Sequence, residues 1–141
     1  MSADTAAPLE AGPQTVAAAQ AAWSAEERAR RQDMLMAAIN CERKAQGQPP
    51  LRIDATLSAI AADAWLTLVH HHDWSLRNLP GRYALRSVVA LDTGASQLAE
   101  CGVRGLDSAT LRAAADARSI GVAVFPPQAS WDSPSAVVLI R

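Results

Sequence analysis

The sequence predicts an α+β domain in which helices pack on a small antiparallel sheet. Three observations carry this expectation. Two long helical segments occupy residues 24–46 and 54–72. Short apolar runs rich in β-branched residues follow, at 85–91 (L-R-S-V-V-A-L), 120–125 (I-G-V-A-V-F) and 136–140 (A-V-V-L-I). Helices first and strands afterwards, rather than strict alternation, is the pattern of α+β proteins.

The first long helix has a legible start and stop. Ser24 and Glu27 form an S-x-x-E capping box, in which each side chain satisfies a backbone N–H that the first turn leaves open. Gly47 supplies a left-handed stop, and Pro49-Pro50 forbid continuation. Its late apolar positions are Met34, Leu35, Ala38, Ile39, Cys41 and Ala45, of which Met34, Ala38, Cys41 and Ala45 share one face at helical spacing. The earlier part (Glu26, Glu27, Arg28, Arg30, Arg31) is polar and reads as solvated. The second helix begins at Asp54, a good N-cap. Leu57, Ile60, Ala61, Ala64 and Leu68 form an apolar stripe that continues toward His71 and His72, so one of these two is expected to point inward.

Leu79-Pro80-Gly81 is a turn, and 85–91 follows it as a strand. Residues 106–117 read as a short helix capped by Asp107 or Ser108. The runs 120–125 and 136–140 read as a β-hairpin with a long connection. Residues 1–23 read as a flexible Ala/Pro-rich tail, because they hold almost no large apolar side chains to offset their ordering entropy. The domain proper is expected at 24–141.

Composition narrows the function classes. The chain has 141 residues, 50% hydrophobic but only 4% aromatic, and a net charge of −1. Basic and acidic residues are interspersed, so no electrostatic footprint for nucleic acid is present. No apolar run reaches the roughly 18 residues of a membrane span. Residues 1–23 carry no basic n-region or Leu-rich core of a signal peptide. The location is therefore expected to be extracytoplasmic if an upstream signal was removed, and cytoplasmic otherwise. Cys41 and Cys101 are too few for a disulfide scaffold. They can close one bridge over about 60 residues, worth about 4 kcal/mol, or remain as two buried thiols.

The run His70-His71-His72-Asp73-Trp74 is the most chemical-looking feature. Imidazoles bind metals and titrate near neutral pH. Successive helical residues diverge by about 100°, so three in a row cannot converge on one ion. His72 is a weak candidate for a metal ligand. A helix end whose histidines are solvated near the negative pole of the dipole is the plainer reading. The sequence shows no G-x-S-x-G, no P-loop, no G-x-G-x-x-G and no HExxH. The acids Glu42, Asp63, Asp73, Asp92, Glu100 and Asp107 form no evident catalytic pair, and no catalytic residue is assigned. The tryptophans Trp23, Trp65, Trp74 and Trp131 read as core or rim anchors.

The stretch 35–65 resembles the opening of bacterial CAP-superfamily domains, also called SCP or PR-1-like. Asn40, Arg43, Gly47, Pro50, Leu51, Asp54, Leu57, Ala61 and Ala64 or Trp65 stand at matching places. The tail 120–140 resembles the family's last two strands. The likeness extends over 35–72 and 120–140, roughly 60 residues. The resemblance implies an α-β-α sandwich around an antiparallel sheet, with a cavity lined in many members by two histidines and two acids. Carried over, His72 or His71 matches the histidine after the second helix, and Glu100 matches a cavity acid, although Cys101 stands where the family has Asn. The third-helix motif has no counterpart, since about 18 residues separate Glu100 from Ser119.

These readings point to a shortened, non-catalytic CAP-like binding module. Its partner would be a protein or an apolar ligand, with no cofactor required. An exposed apolar patch is expected near Val88, Val89, Trp65 and Trp74. One rival is a metal-dependent hydrolase, with a divalent ion such as zinc on the His70, His71, His72 cluster with Glu100 or Asp73. Another is a degenerate structural domain without ligand.

Overall fold

The computed structural model describes residues 13–71, 76, 79–89, 112–128 and 136–141. Three helices pack on a four-stranded open sheet. In chain order these are α1 (Val16–Ala19), α2 (Ala25–Ala45), β1 (Arg52–Ile53), α3 (Ala55–His71), β2 (Leu85–Val89), β3 (Ser119–Val124) and β4 (Ala136–Ile140). The fold class is α+β, as the sequence predicts.

The local signals operate where they were read, except that the Glu27 carboxylate turns to Arg30 and Arg31 instead of completing the capping box. Ser24 Oγ accepts from the Glu27 N–H at 3.0 Å and starts α2. At the other end Gly47 adopts φ 76°. The Gln48 N–H donates to Arg43 O at 2.8 Å and the Gly47 N–H to Lys44 O at 3.0 Å, the paired bonds of a Schellman stop. Asp54 Oδ1 accepts from the Leu57 N–H at 3.0 Å and caps α3.

The sheet order is β1-β3-β4-β2. β4 pairs antiparallel with both β3 and β2. β1 runs parallel to β3, with Arg52 opposite Ser119 and Ile53 opposite Ile120. The sheet is therefore mixed, which corrects the expectation of a purely antiparallel one. β1 is only two residues long, too short for any periodicity to announce it.

Alternation along the strands divides the core in two. Ile120, Val122, Val124, Ala136, Val138, Ile140, Leu85 and Val89 face Leu35 and Ile39 of α2. Ala123, Val137 and Leu139 face Leu57, Ala61, Trp65, Leu68 and Val69 of α3, with Ala19 of α1 at the margin. Helices thus cover both sides of the sheet.

Four local expectations change. The buried positions of α2 are Leu35, Ala38, Ile39 and Arg43, so of the Met34–Ala38–Cys41–Ala45 face only Ala38 is buried, and Ala45 is exposed. Both stripes fit helical spacing, and only the position of the sheet selects between them. Val89 and Trp65 are core residues at 1% and 0% exposure, so they form no exposed patch. Of the segment expected as a short helix, residues 106–111 lie outside the described residues, residue 112 is helical and 113–116 form a turn, with the Ala115 N–H on Arg112 O and the Ala117 N–H on Ala114 O. Finally, within the expected tail α1 forms and buries one residue against the core. Ala19 is buried, and Gln128 Nε2 donates to its carbonyl at 3.2 Å.

Candidate functional site

The C-terminal end of α3 holds the histidine run. The buried positions of α3 are Leu57, Ala61, Ala64, Trp65, Leu68 and Val69. His70 and His71 follow off this stripe and are both exposed. His70 Nε2 lies 2.6 Å from the Pro13 carbonyl oxygen, so this histidine holds the N-terminal segment against the helix end. The cavity candidate His71 lines no interior space on the described surface. The other cavity candidates, His72 and Glu100, lie outside the described residues, as do Asp73, Trp74, Trp131 and Cys101. Among the described residues no group of three or more His, Cys, Asp or Glu is placed to hold a metal ion. None of the described helices is long and apolar enough to cross a membrane.

The polar chemistry of the interior sits at the C-terminal half of α2 instead. Arg43 is fully buried. Its Nε donates to Pro49 O at 2.8 Å and its Nη1 to Ala114 O at 2.9 Å. Its Nη2 reaches Ala117 O at 3.3 Å and Ala115 O at 3.4 Å. All four acceptors are main-chain carbonyls. Burial, and then the nearby charge of Arg118, push the guanidinium below its ordinary pKa. Five donors in a planar fork suit this task, since a buried cation must be hydrogen-bonded around its whole edge. One turn earlier, Asn40 Oδ1 accepts from the Leu51 N–H at 2.8 Å and its Nδ2 donates to Leu51 O at 3.4 Å. The amide thus imitates a neighbouring strand for the residue that leads into β1.

Sequence reasoning singled out Asn40 and Arg43 as matched positions but did not assign them this role. A signal was available for Arg43. Leu35, Ile39 and Arg43 follow one another at four-residue spacing, so the arginine continues a buried stripe.

Three further residues escaped the sequence altogether. Gly121 faces the start of α3, and a Cβ there would overlap the Leu57 carbonyl carbon. Ser58 Oγ accepts from the Val122 N–H at 3.1 Å. Gln20 Nε2 donates to Val124 O at 2.9 Å. The last two close the outer side of β3 where it runs on past the short β1, which removes an open strand edge.

The tryptophans divide by environment. Trp65 stacks on Phe125 with ring centroids 3.9 Å apart and planes 8° from parallel. Trp23 is half-buried against the α2-side core, and the Arg31 guanidinium lies 4.5 Å above its ring. Both are anchors, as the composition suggested.

With this geometry established, comparison was made with known proteins. No family model matches the chain, and neither the curated proteins nor the solved structures contain a match.

Proposed function

We propose that this chain is a non-catalytic binding module of CAP-like type. It works outside the cytoplasm and engages a protein partner or an apolar ligand. One observation supports the non-catalytic part. The polar side chains at the positions that carry the resemblance are engaged with the main chain: Asn40 with Leu51, Arg43 with four carbonyls, Asp54 with the first turn of α3. A group that acts on substrate must aim its hydrogen-bonding atoms at substrate. These three aim theirs at the backbone and hold the fold.

The cavity proposal rests on His72 and Glu100. The proposed Cys41–Cys101 bridge suits an oxidising compartment.

Metal analysis of untagged protein, together with thiol titration after denaturation, tests this reading. The expected result is no stoichiometric zinc and no titratable thiol without a reductant. Stoichiometric zinc that is lost in His72→Ala would establish the rival metal-dependent hydrolase instead. Two free thiols in native material would remove the support for an oxidising location.

A further inference from the structure

Among the described residues, the outer edge of β1 is a strand edge that combines unpaired main-chain groups of Ile53, an apolar side chain and positive charge. The Arg52 N–H donates to Arg118 O at 3.0 Å, and the Asp54 N–H donates to Ile120 O at 2.8 Å. Successive residues of a strand direct their main-chain groups to opposite sides. The N–H and C=O of Ile53 therefore point away from β3, at the end of the sheet. The Ile53 side chain is 47% exposed and is the one large hydrophobic among the described residues that is exposed.

The charge around this edge is assembled by the tertiary structure. The Arg118 N–H donates to Arg141 O at 3.1 Å, so Arg52, Arg118 and Arg141 lie rung to rung on three neighbouring strands. All three are exposed. Arg52 has no side-chain partner among the described residues. Arg118 donates to the carbonyls of Asp116 and Ala117 rather than to a carboxylate. Arg141 lies 3.9 Å from Asp54 Oδ2, while the other oxygen of Asp54 caps α3. Strand alternation puts Ile53 and Arg118 on the α2 side of the edge, and Arg52 and Arg141 on the α3 side. An extended segment laid along β1 would therefore meet positive charge from both faces.

We propose that the β1 edge docks an extended, acidic segment of a partner protein by strand addition. Main-chain bonds to Ile53 give register, an apolar residue covers the Ile53 side chain, and carboxylates pair with Arg52 and Arg118. A second copy paired by a two-fold axis through Ile53 would set Arg52 opposite Asp54 but would bring no acid to Arg118, and dimerisation is therefore an outcome the test separates. The proposal rests on the binding-module reading and names its surface and partner chemistry.

The test is a titration of isotope-labelled full-length protein with a synthetic peptide of alternating Glu and Val, followed by amide NMR shifts. An alternating Lys and Val peptide is the control. The expected result is saturable movement of the Arg52, Ile53 and Asp54 amides by the acidic peptide alone. Affinity should weaken about tenfold or more from low to high salt, as screening shortens the range of the charges. Arg52→Glu and Ile53→Asp should each abolish the movement while leaving the remaining spectrum folded. Equal response to the Lys peptide, shifts confined to residues away from β1, or concentration-dependent dimerisation through Ile53 would each overturn the proposal. Failure here is separable from failure of the module reading. Zinc-dependent hydrolysis with intact peptide docking would remove the module and keep the edge, and metal-free protein indifferent to the peptide would do the reverse.

Discussion

The two faces of the sheet are covered by helices of similar length, 17 residues in α3 and 21 in α2, but are held by different means. On the α3 side the contact is largely apolar and close. Gly121 lets the backbone of α3 approach the strand directly, and Trp65 lies flat on Phe125. On the α2 side the apolar contact is carried by Leu35 and Ile39, and a buried cation extends it. Arg43 gathers carbonyls from Pro49 before β1 and from the turn before β3. Where regular structure is present, apolar side chains suffice. Where two irregular segments must be fixed to a helix end, their carbonyls need donors, and one arginine supplies them.

The largest test of this contrast removes the aromatic anchor on the α3 side. Trp65→Ala should cost about 4 kcal/mol of unfolding free energy, since a fully buried ring leaves a cavity that the stacked Phe125 cannot fill. Urea denaturation followed by circular dichroism measures it. A loss below about 1 kcal/mol would mean that the α3 side is not tightly packed.

On the other side, Arg43→Met should cost about 3 kcal/mol, because several buried carbonyls lose their donor. Hydrogen exchange distinguishes this loss from general weakening. The turn at 113–116 should lose protection first, ahead of β4. Arg43→Lys should recover only part of the stability, since an ammonium cannot span the fork. Full recovery would show that charge alone matters there.

Gly121→Ala should cost about 2 kcal/mol through overpacking, because the added methyl meets backbone rather than a flexible side chain. The same exchange at a site of ordinary spacing would be near neutral, so a neutral result would show that α3 can withdraw from the sheet.

The smallest effect sharpens the contrast from outside both cores. Hydrogen bonds from Arg30 and then Arg31 hold Glu27 down to about 2 from its ordinary 4.5. A carboxylate whose folded pKa is depressed stabilises the fold above its unfolded pKa and loses that contribution as pH falls through the folded one. The window is therefore pH 4.5 down to about 2. The group is solvent-exposed, so screening by water and salt leaves the effect small. In Glu27→Gln the acid limb of the stability curve should flatten slightly in that window. A large change would place Glu27 in a structural role that its position on α2 does not suggest.

The ends of both long helices were legible because the signals are local. Ser24 with Glu27, Gly47 with Lys44, and Asp54 with Leu57 each act across three residues. β3 and β4 were legible because runs buried on both faces are apolar throughout. β1 was not, since two residues carry no period. The seating of α1 was not either, because it depends on Gln20, Gln128 and His70 finding partners far along the chain. At the histidine run, sequence identified the residue types and the end of α3. It did not identify that His70 engages Pro13 and that His71 faces solvent.

By itself, then, the sequence determined the helix limits, the two central strands and the α+β class. Each of these follows from propensity, capping and burial pattern within a few residues. The tertiary structure alone decided the parallel pairing of β1, the buried face of α2 and the gathering of Arg52, Arg118 and Arg141 at one end of the sheet. It also decided that Arg43 is an interior group. Two faces of an amphipathic helix can satisfy the same periodicity, and only the arrival of the sheet selects which one is buried. Once the sheet selects the Leu35–Ile39 face, Arg43 enters with it, and the carbonyls of two distant loops supply its partners.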